Sequence, residues 1–286
     1  MQLQGLFTAL ITPFREGAVD HDALSRLVAR ASVYSAAFVA LGTTAEPCAL
    51  TEEECDAVLR TVMRSTAKPV VVGVSGNDTR TVVRRAEHYR EMGASALLCV
   101  TPYYNRCSDE GLLAHYRAIC EAVDVPIVLY NVPKRTGVDI SPEMLARLLL
   151  LPHVVGVKEA NADAWEILHY ALVCRELSRA LVCGEDATLP LFRAVGADCA
   201  ISAAANAIPD VMEQGLVVPL SDMPRWTSRY LPLVERLFGE VNPIAVKQAC
   251  FHLGLCANEL RLPLAPSADR ALPILLEKAG FCIVNH

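Results

Sequence analysis

Eight short apolar runs, continuous rather than alternating, constrain this chain more than any other feature of its sequence. They are Leu6 to Ile11, Ala36 to Gly42, Val70 to Val74, Ala96 to Val100, Pro126 to Tyr130, Val154 to Lys158, Ala180 to Gly184 and Asp198 to Ser202. Such runs mark parallel strands covered on both faces, because neither face meets water. Between them lie segments with helical spacing: Asp20 to Tyr34, Thr51 to Ala67, Thr79 to Met92, Glu110 to Val123, Pro142 to Leu150 and Ala164 to Leu177. Thr51 with Glu54 three residues on reads as a capping box, and Ser141 before Pro142 places proline in a first helical turn. Eight strand-helix units in about 220 residues specify an α/β fold, a closed (β/α)8 TIM barrel; periodicity alone leaves an open doubly wound sheet as the alternative.

The stretch Asp222 to Gly280 keeps helical periodicity without a strand-like run, and Pro243 and Pro273 fit helix starts. The expected organisation is a barrel over residues 1–221 and a C-terminal helical extension over 222–286. No Gly/Ser linker separates the two, so the extension is expected to pack on the barrel as part of a single functional unit.

Composition narrows the function. With 53% hydrophobic and 20% charged residues the chain is no disordered polymer, and 26 basic against 32 acidic residues, interspersed, leave no basic patch for nucleic acid or an anionic membrane. The longest uncharged stretch, Ala31 to Ala45, has 15 residues and includes Ser, Gly and Thr, too short and too polar to span a bilayer. The N-terminal segment has neither a basic leader nor a small-residue cleavage site, so a cytoplasmic location is expected. The 11 cysteines form no C-x-x-C pair, and Cys99, Cys183 and Cys199 sit inside apolar runs; they read as small buried hydrophobes. The seven histidines form no H-E-x-x-H and no i, i+4 pair, which disfavours a protein-built metal site. Glycine-rich nucleotide and phosphate loops and the G-x-S-x-G elbow are missing too, so catalysis is expected to need no cofactor.

In a barrel of this kind the chemistry lies at the C-terminal ends of the strands. Those ends read Gly42-Thr43-Thr44, Thr101-Pro102-Tyr103-Tyr104, Tyr130-Asn131, Lys158-Glu159, Gly184-Glu185 and Ser202: hydroxyls, phenols and one amine. Of the five lysines only Lys158 ends an apolar run, which aims an ammonium into an apolar interior. Desolvation there disfavours the charged form and frees a lone pair to attack a carbonyl as a Schiff-base nucleophile. The competing reading is a structural lysine paired with Glu159 or Glu185. Tyr130, Thr43 and Tyr104 have hydroxyls that both donate and accept and could relay protons for imine and enamine chemistry. Thr43 and Thr44, with the N–H groups of a turn opened by glycine, suit a carboxylate. Arg135, on the loop after the fifth run, either takes a second carboxylate bidentately or is a solvated loop arginine.

Six blocks, GTTAE (42–46), TPYYN (101–105), YNVPKRTG (130–137), GVKEA (156–160), NPIAVK (242–247) and RLPLAP (261–266), resemble in order those of the dihydrodipicolinate synthase family, within the pyruvate-dependent aldolases and lyases. The resemblance implies a lyase that condenses pyruvate with L-aspartate-4-semialdehyde through a lysine imine, giving 4-hydroxy-tetrahydrodipicolinate on the route to diaminopimelate and lysine. It implies that Lys158 is the Schiff-base lysine, Tyr130 the proton-shuttling phenol and Thr43 the relay to Tyr104, which reaches in from a partner subunit. Thr44 would hold the pyruvate carboxylate and Arg135 that of the semialdehyde, with Gly184 and Ile201 completing the substrate-binding set. The assembly implied is a homotetramer built from tight dimers. The other readings are a pyruvate aldolase acting on a sugar acid, which has no need of Arg135, and a catalytically degraded keto-acid sensor.

The sequence departs from the family pattern at two positions of the second block, where Ala45 replaces glycine and Pro47 replaces serine. If position 45 has a positive φ, alanine there costs about 1 kcal/mol and shifts the loop of Thr43 and Thr44. Asn77 and Tyr103 match the feedback site of lysine-inhibited members. Pro47, Glu52, Cys55 and Thr81 do not, so weak or absent inhibition by lysine is expected.

Overall fold

The computed structural model describes residues 1–284; Asn285 and His286, the last two positions of the expected extension, lie outside the described residues. The chain opens with β1 (Gly5–Ala9), a hairpin of β2 (Phe14–Arg15) and β3 (Ala18–Val19), then α1 (His21–Ala31), β4 (Ala37–Ala40), α2 (Glu52–Ser65), β5 (Val70–Val74) and α3 (Thr79–Glu91). It continues through β6 (Ala96–Val100), α4 (Asp109–Ala122), β7 (Ile127–Asn131), α5 (Pro133–Thr136), α6 (Pro142–Leu149), β8 (Val154–Glu159) and α7 (Ala164–Glu176). The last elements are β9 (Ala180–Cys183), α8 (Leu189–Ala194), β10 (Cys199–Ser202), α9 (Pro209–Val217), α10 (Met223–Leu237), α11 (Ile244–His252) and α12 (Ala271–Ala279).

Eight strands form a closed barrel in the order β1-β10-β9-β8-β7-β6-β5-β4, which excludes the open sheet. Each lies within two residues of one of the apolar runs. The runs are apolar throughout because both faces are covered: β4, β5, β7 and β10 are buried at every position. Side-chain caps start α1, α2, α3, α4, α6 and α7, through Asp20, Thr51, Asp78, Ser108, Ser141 and Asp163. Thr51 and Glu54 form both halves of the capping box.

Two details differ from the sequence reading. The β2–β3 hairpin was not anticipated, because two-residue strands show no periodicity; Glu16 (φ 54°) and Gly17 (φ 80°) make its left-handed turn. Pro243 caps α11 as expected, but α12 begins at Ala271, two residues before Pro273. Proline is tolerated there because first-turn N–H groups have no helical partner to lose.

Tertiary contacts group the chain into two compact units. One consists of Met1–Gly5 and Pro69–Ile201, the other of Leu6–Lys68 and the described residues from Ser202 onward. In the first, the parallel ladder runs from β5 through β6, β7, β8 and β9 to β10. Its β7–β8 register slips once: Ile127 opposes Val154 but Val128 opposes Gly156, leaving Val155 as an extra residue.

The second unit is held by buried charge as well as by apolar packing. Lys247 on α11 has no exposed side-chain surface and sits 2.5 Å from Glu46, itself almost fully buried, in the loop after β4. The ammonium also donates to the Glu259 carbonyl (2.9 Å) and lies 4.1 Å from the centre of the Phe14 ring. Burial pulls the Lys247 ammonium below its ordinary value and Glu46 pulls it back up. Arg261 forks onto both oxygens of Glu54 at 2.6 Å, which holds that carboxyl at about 2. Lys247→Met should strand Glu46 as an uncompensated buried charge and cost about 3–5 kcal/mol in urea unfolding, whereas the paired change Lys247→Met/Glu46→Leu should recover most of that loss.

Candidate active site

Side chains alternate across a strand, so neighbours in sequence face opposite ways. At the C-terminal end of the β7–β8 pair, Tyr130 lies directly opposite Lys158 and Asn131 directly opposite Glu159. Tyr130 and Lys158 share the face turned to the barrel interior: Lys158 is 6% exposed, and its Nζ sits 4.3 Å from the centre of the Tyr130 ring. The amine therefore lies against the aromatic face of a phenol-bearing side chain. Gly184, just past β9, closes one wall. A Cβ there would lie 2.6 Å from the Glu159 carbonyl oxygen and 2.9 Å from Lys158 Cε, so only glycine lets the lysine stem pass. Ile201 is buried on β10 one residue beyond the Ala200–Cys183 pairing, beside Gly184. Glu185, half-buried, is raised by burial and pulled back by Lys134, Lys158 and Arg135, so its carboxylate lies in the field of all three cations.

Glu159 is not the partner of Lys158. It is on the other face, wholly buried, and accepts hydrogen bonds from Asn131 Nδ2 (2.8 Å) and the Asn161 N–H. Asn131 Nδ2 also donates to Asp139 Oδ1 at 2.7 Å, and Asn161 donates to Glu166. Burial pushes Glu159 up to about 8 despite those donors. Burial and then the charge of Asp139 push Glu166 up to about 7. Burial likewise raises the Tyr170 phenol, which donates to the Ile140 carbonyl behind the same strand ends.

The carboxylate-suited turn belongs to the second unit. Thr43–Ala45 forms a single 3-10 turn after Gly42, with Thr44 buried and Thr43 half-buried. Asn242 Nδ2 donates to Thr44 Oγ1 at 2.9 Å, so the Thr44 hydroxyl keeps its own proton to donate. The positive-φ residue of this turn is Glu46 (φ 56°), not Ala45. Ala45 is in the right-handed turn itself, where its Cβ costs nothing, and its carbonyl accepts from Thr12 Oγ1 at 2.7 Å. The strain considered from sequence therefore does not arise.

Arg135 lies exposed on α5, the short helix that leaves β7. Tyr104 projects from the loop after β6 with φ 70° and 90% of its surface exposed. No role read from the sequence falls on Asn131, Asp139, Glu166 or Asn242. The signal for Asn131 and Glu159 was present, since they directly follow Tyr130 and Lys158 on their strands and must face the other way. Asn242 and Thr44 are 198 residues apart, and no local pattern connects them.

The fold and site define an α/β-barrel protein with a buried amine at a strand end. The chain belongs to the dihydrodipicolinate synthetase family, whose model matches residues 2–278. It is 40% identical over 275 residues to a 4-hydroxy-tetrahydrodipicolinate synthase of Phenylobacterium zucineum, covering 94% of this chain and 93% of that one. Among solved structures it superposes on a chloride-inhibited dihydrodipicolinate synthase from Acinetobacter baumannii complexed with pyruvate, with a TM-score of 0.92, 35% identity, and coverage of 98% of this chain and 100% of the other. The dihydrodipicolinate synthase of Thermotoga maritima gives a TM-score of 0.93 at 34% identity, covering 97% of this chain and 99% of the other.

The raised carboxyls make stability depend on pH with a definite sign. Glu159 and Glu166 move from an ordinary 4.5 to about 8 and about 7, so over that interval the folded chain binds more protons than the unfolded one. Their contribution is complete below 4.5 and is lost as pH rises through 7 to 8. The thermal midpoint should therefore fall from about pH 5 to about pH 8, and Glu159→Gln, which cannot ionise, should flatten that fall by up to ~1.4 kcal/mol per pH unit.

Proposed function

We propose that this chain condenses pyruvate with L-aspartate-4-semialdehyde through an imine on Lys158, giving 4-hydroxy-tetrahydrodipicolinate for diaminopimelate and lysine synthesis. The observation that carries the reading is the buried Lys158 amine 4.3 Å from the Tyr130 ring, in a family member whose relative from A. baumannii is described as complexed with pyruvate. The neutral amine adds to the keto carbon of pyruvate, and loss of water gives the imine. Removal of a methyl proton gives the enamine, whose carbon attacks the aldehyde. The amino group of the semialdehyde then displaces Lys158 from the imine carbon, closing the ring and freeing the enzyme, so one water is released overall.

Each residue has a place in that sequence. Tyr130 carries protons to and from the imine nitrogen and the forming alkoxide, with Thr43 as the relay to Tyr104. Thr44 donates to the pyruvate carboxylate, a role supported by the Asn242 bond that leaves its proton available. Arg135 takes the carboxylate of the semialdehyde. Gly184 and Ile201 wall the pyruvate site. No cofactor enters the scheme, because the imine itself is the electron sink.

The assembly we propose is a cytoplasmic homotetramer in which Tyr104 serves the neighbouring subunit. Its support is the exposure of Tyr104 and an outward apolar stripe of Trp165, Leu168 and Leu172 on α7. Among the described residues no helix is long and apolar enough to cross a membrane. Residues 222–286 are read as an extension working in one functional unit with the barrel of residues 1–221; Asn242, Lys247 and Arg261 support this through their bonds to Thr44, Glu46 and Glu54.

Borohydride reduction in the presence of pyruvate, followed by mass analysis of the peptide containing Lys158, tests the chemistry directly; an unmodified Lys158 with undiminished turnover would refute it. Arg135→Ala should lower kcat/KM for the semialdehyde about 10- to 100-fold while leaving pyruvate trapping intact, the loss expected for a charge-assisted hydrogen bond. L-Lysine should inhibit weakly or not at all, and an inhibition constant in the sub-millimolar range from steady-state assays would refute this.

A further inference from the structure

The slip in the β7–β8 ladder has a consequence for catalysis. Below it Ile127 opposes Val154, and above it Val128 opposes Gly156, so the extra residue, Val155, sets which residue faces Tyr130. Moving the upper register by one residue would put Val157 or Glu159 opposite Tyr130 and would exchange the inner and outer faces of the strand end. Groups beyond a bulge can favour one register over the other. Two features above the slip do so. Gly156 packs so closely on β9 that a Cβ there would lie 2.4 Å from the Ala180 carbonyl oxygen. At the open end, Asn131 and Glu159 join β7 to β8 through their side chains.

In that join the Asn131 amide uses every hydrogen-bonding atom it has. Both Nδ2 hydrogens of Asn131 are used, on Glu159 Oε2 and Asp139 Oδ1, and its Oδ1 accepts from the Ile140 N–H at 3.3 Å. The second oxygen of Glu159 accepts from the Asn161 N–H. Asn131 and Glu159 are both 0% exposed, so neither finds water as a substitute partner. Rotating either side chain out of place would leave buried polar atoms unbonded, a penalty that holds the two backbones at a single register.

We propose that Asn131 and Glu159 are positioning residues that pin the bulged β7–β8 register and so hold Tyr130 over the Lys158 amine. The inference rests on reading Lys158 as the imine-forming lysine and Tyr130 as its phenol. Neither Asn131 nor Glu159 touches substrate in this scheme; each acts through the residue before it on its own strand.

The test is Asn131→Leu, which keeps the number and branching of the side-chain heavy atoms but has no donors, assayed beside the wild-type protein. Three quantities are read: the thermal midpoint, kcat separately from KM, and the rate at which borohydride traps pyruvate on Lys158. The variant is expected to trap pyruvate, and to turn over, at least about 10-fold more slowly per folded molecule, because misplacing reacting groups by about 1 Å can cost about 100-fold. The double variant Asn131→Leu/Glu159→Leu should be no slower than the slower single variant, since the two residues act as one unit. A purely structural role lowers the midpoint and leaves trapping and kcat of the folded fraction at wild-type values, and that outcome overturns the proposal. Should Asn131→Leu fail to fold, Asn131→Ser is judged by the same two outcomes. A wild-type protein that turns over without modification at Lys158 overturns this proposal together with the reading it rests on. Trapping that is normal in both proteins overturns this one alone.

Discussion

The register between β7 and β8 is the constraint on which the meeting of the Lys158 amine with the Tyr130 ring depends. A lysine at the end of an apolar strand is useful only if it faces the interior, and facing is a matter of parity. One extra residue at Val155 sets that parity, so Lys158 opposes Tyr130 and Glu159 turns outward to Asn131. The same alternation separates two electrostatic environments a residue apart. On the inner face an amine lies against an aromatic ring with Glu185 in its field; on the outer face a carboxyl is kept protonated near neutrality by burial.

Buried polarity is used differently in the two compact units. Around Glu159 the groups are satisfied by amide donors and by retaining protons, which avoids the larger penalty of burying unpaired charge. Around Glu46 the charge is kept and matched by Lys247, with Phe14 and the Glu259 carbonyl taking the rest of the ammonium's surface. Such a pair contributes little net stability but enforces a geometry, because breaking it is so unfavourable. Glu46 occupies the left-handed position of the loop that carries Thr43 and Thr44, so the geometry enforced is that of the carboxylate-suited turn.

Much of this was legible in the chain. Eight uninterrupted apolar runs announced strands covered on both sides, and the caps at Thr51 and Ser141 announced helix starts, because both signals rest on interactions within a few residues. Lys158 stood out because it alone among five lysines ends such a run. The β2–β3 hairpin was missed because its strands are too short to carry a period, and Ala45 was suspected of strain that belongs to the next residue, since a one-position shift in a tight turn cannot be read from composition. The cysteines followed the apolar pattern in the main, with Cys99, Cys183 and Cys199 buried in their strands and Cys48, Cys107 and Cys282 left exposed.

The sequence by itself determined the alternation of strands and helices, the identity of the amine and the hydroxyls at the strand ends, because period, capping and polarity are local properties. Only the tertiary structure decided which carboxyl stands near that amine, which holds a proton and which pairs with Lys247. Those outcomes depend on desolvation and on partners such as Asn242 with Thr44, or Lys247 with Glu46, that lie about two hundred residues apart in the chain and meet only when it is folded.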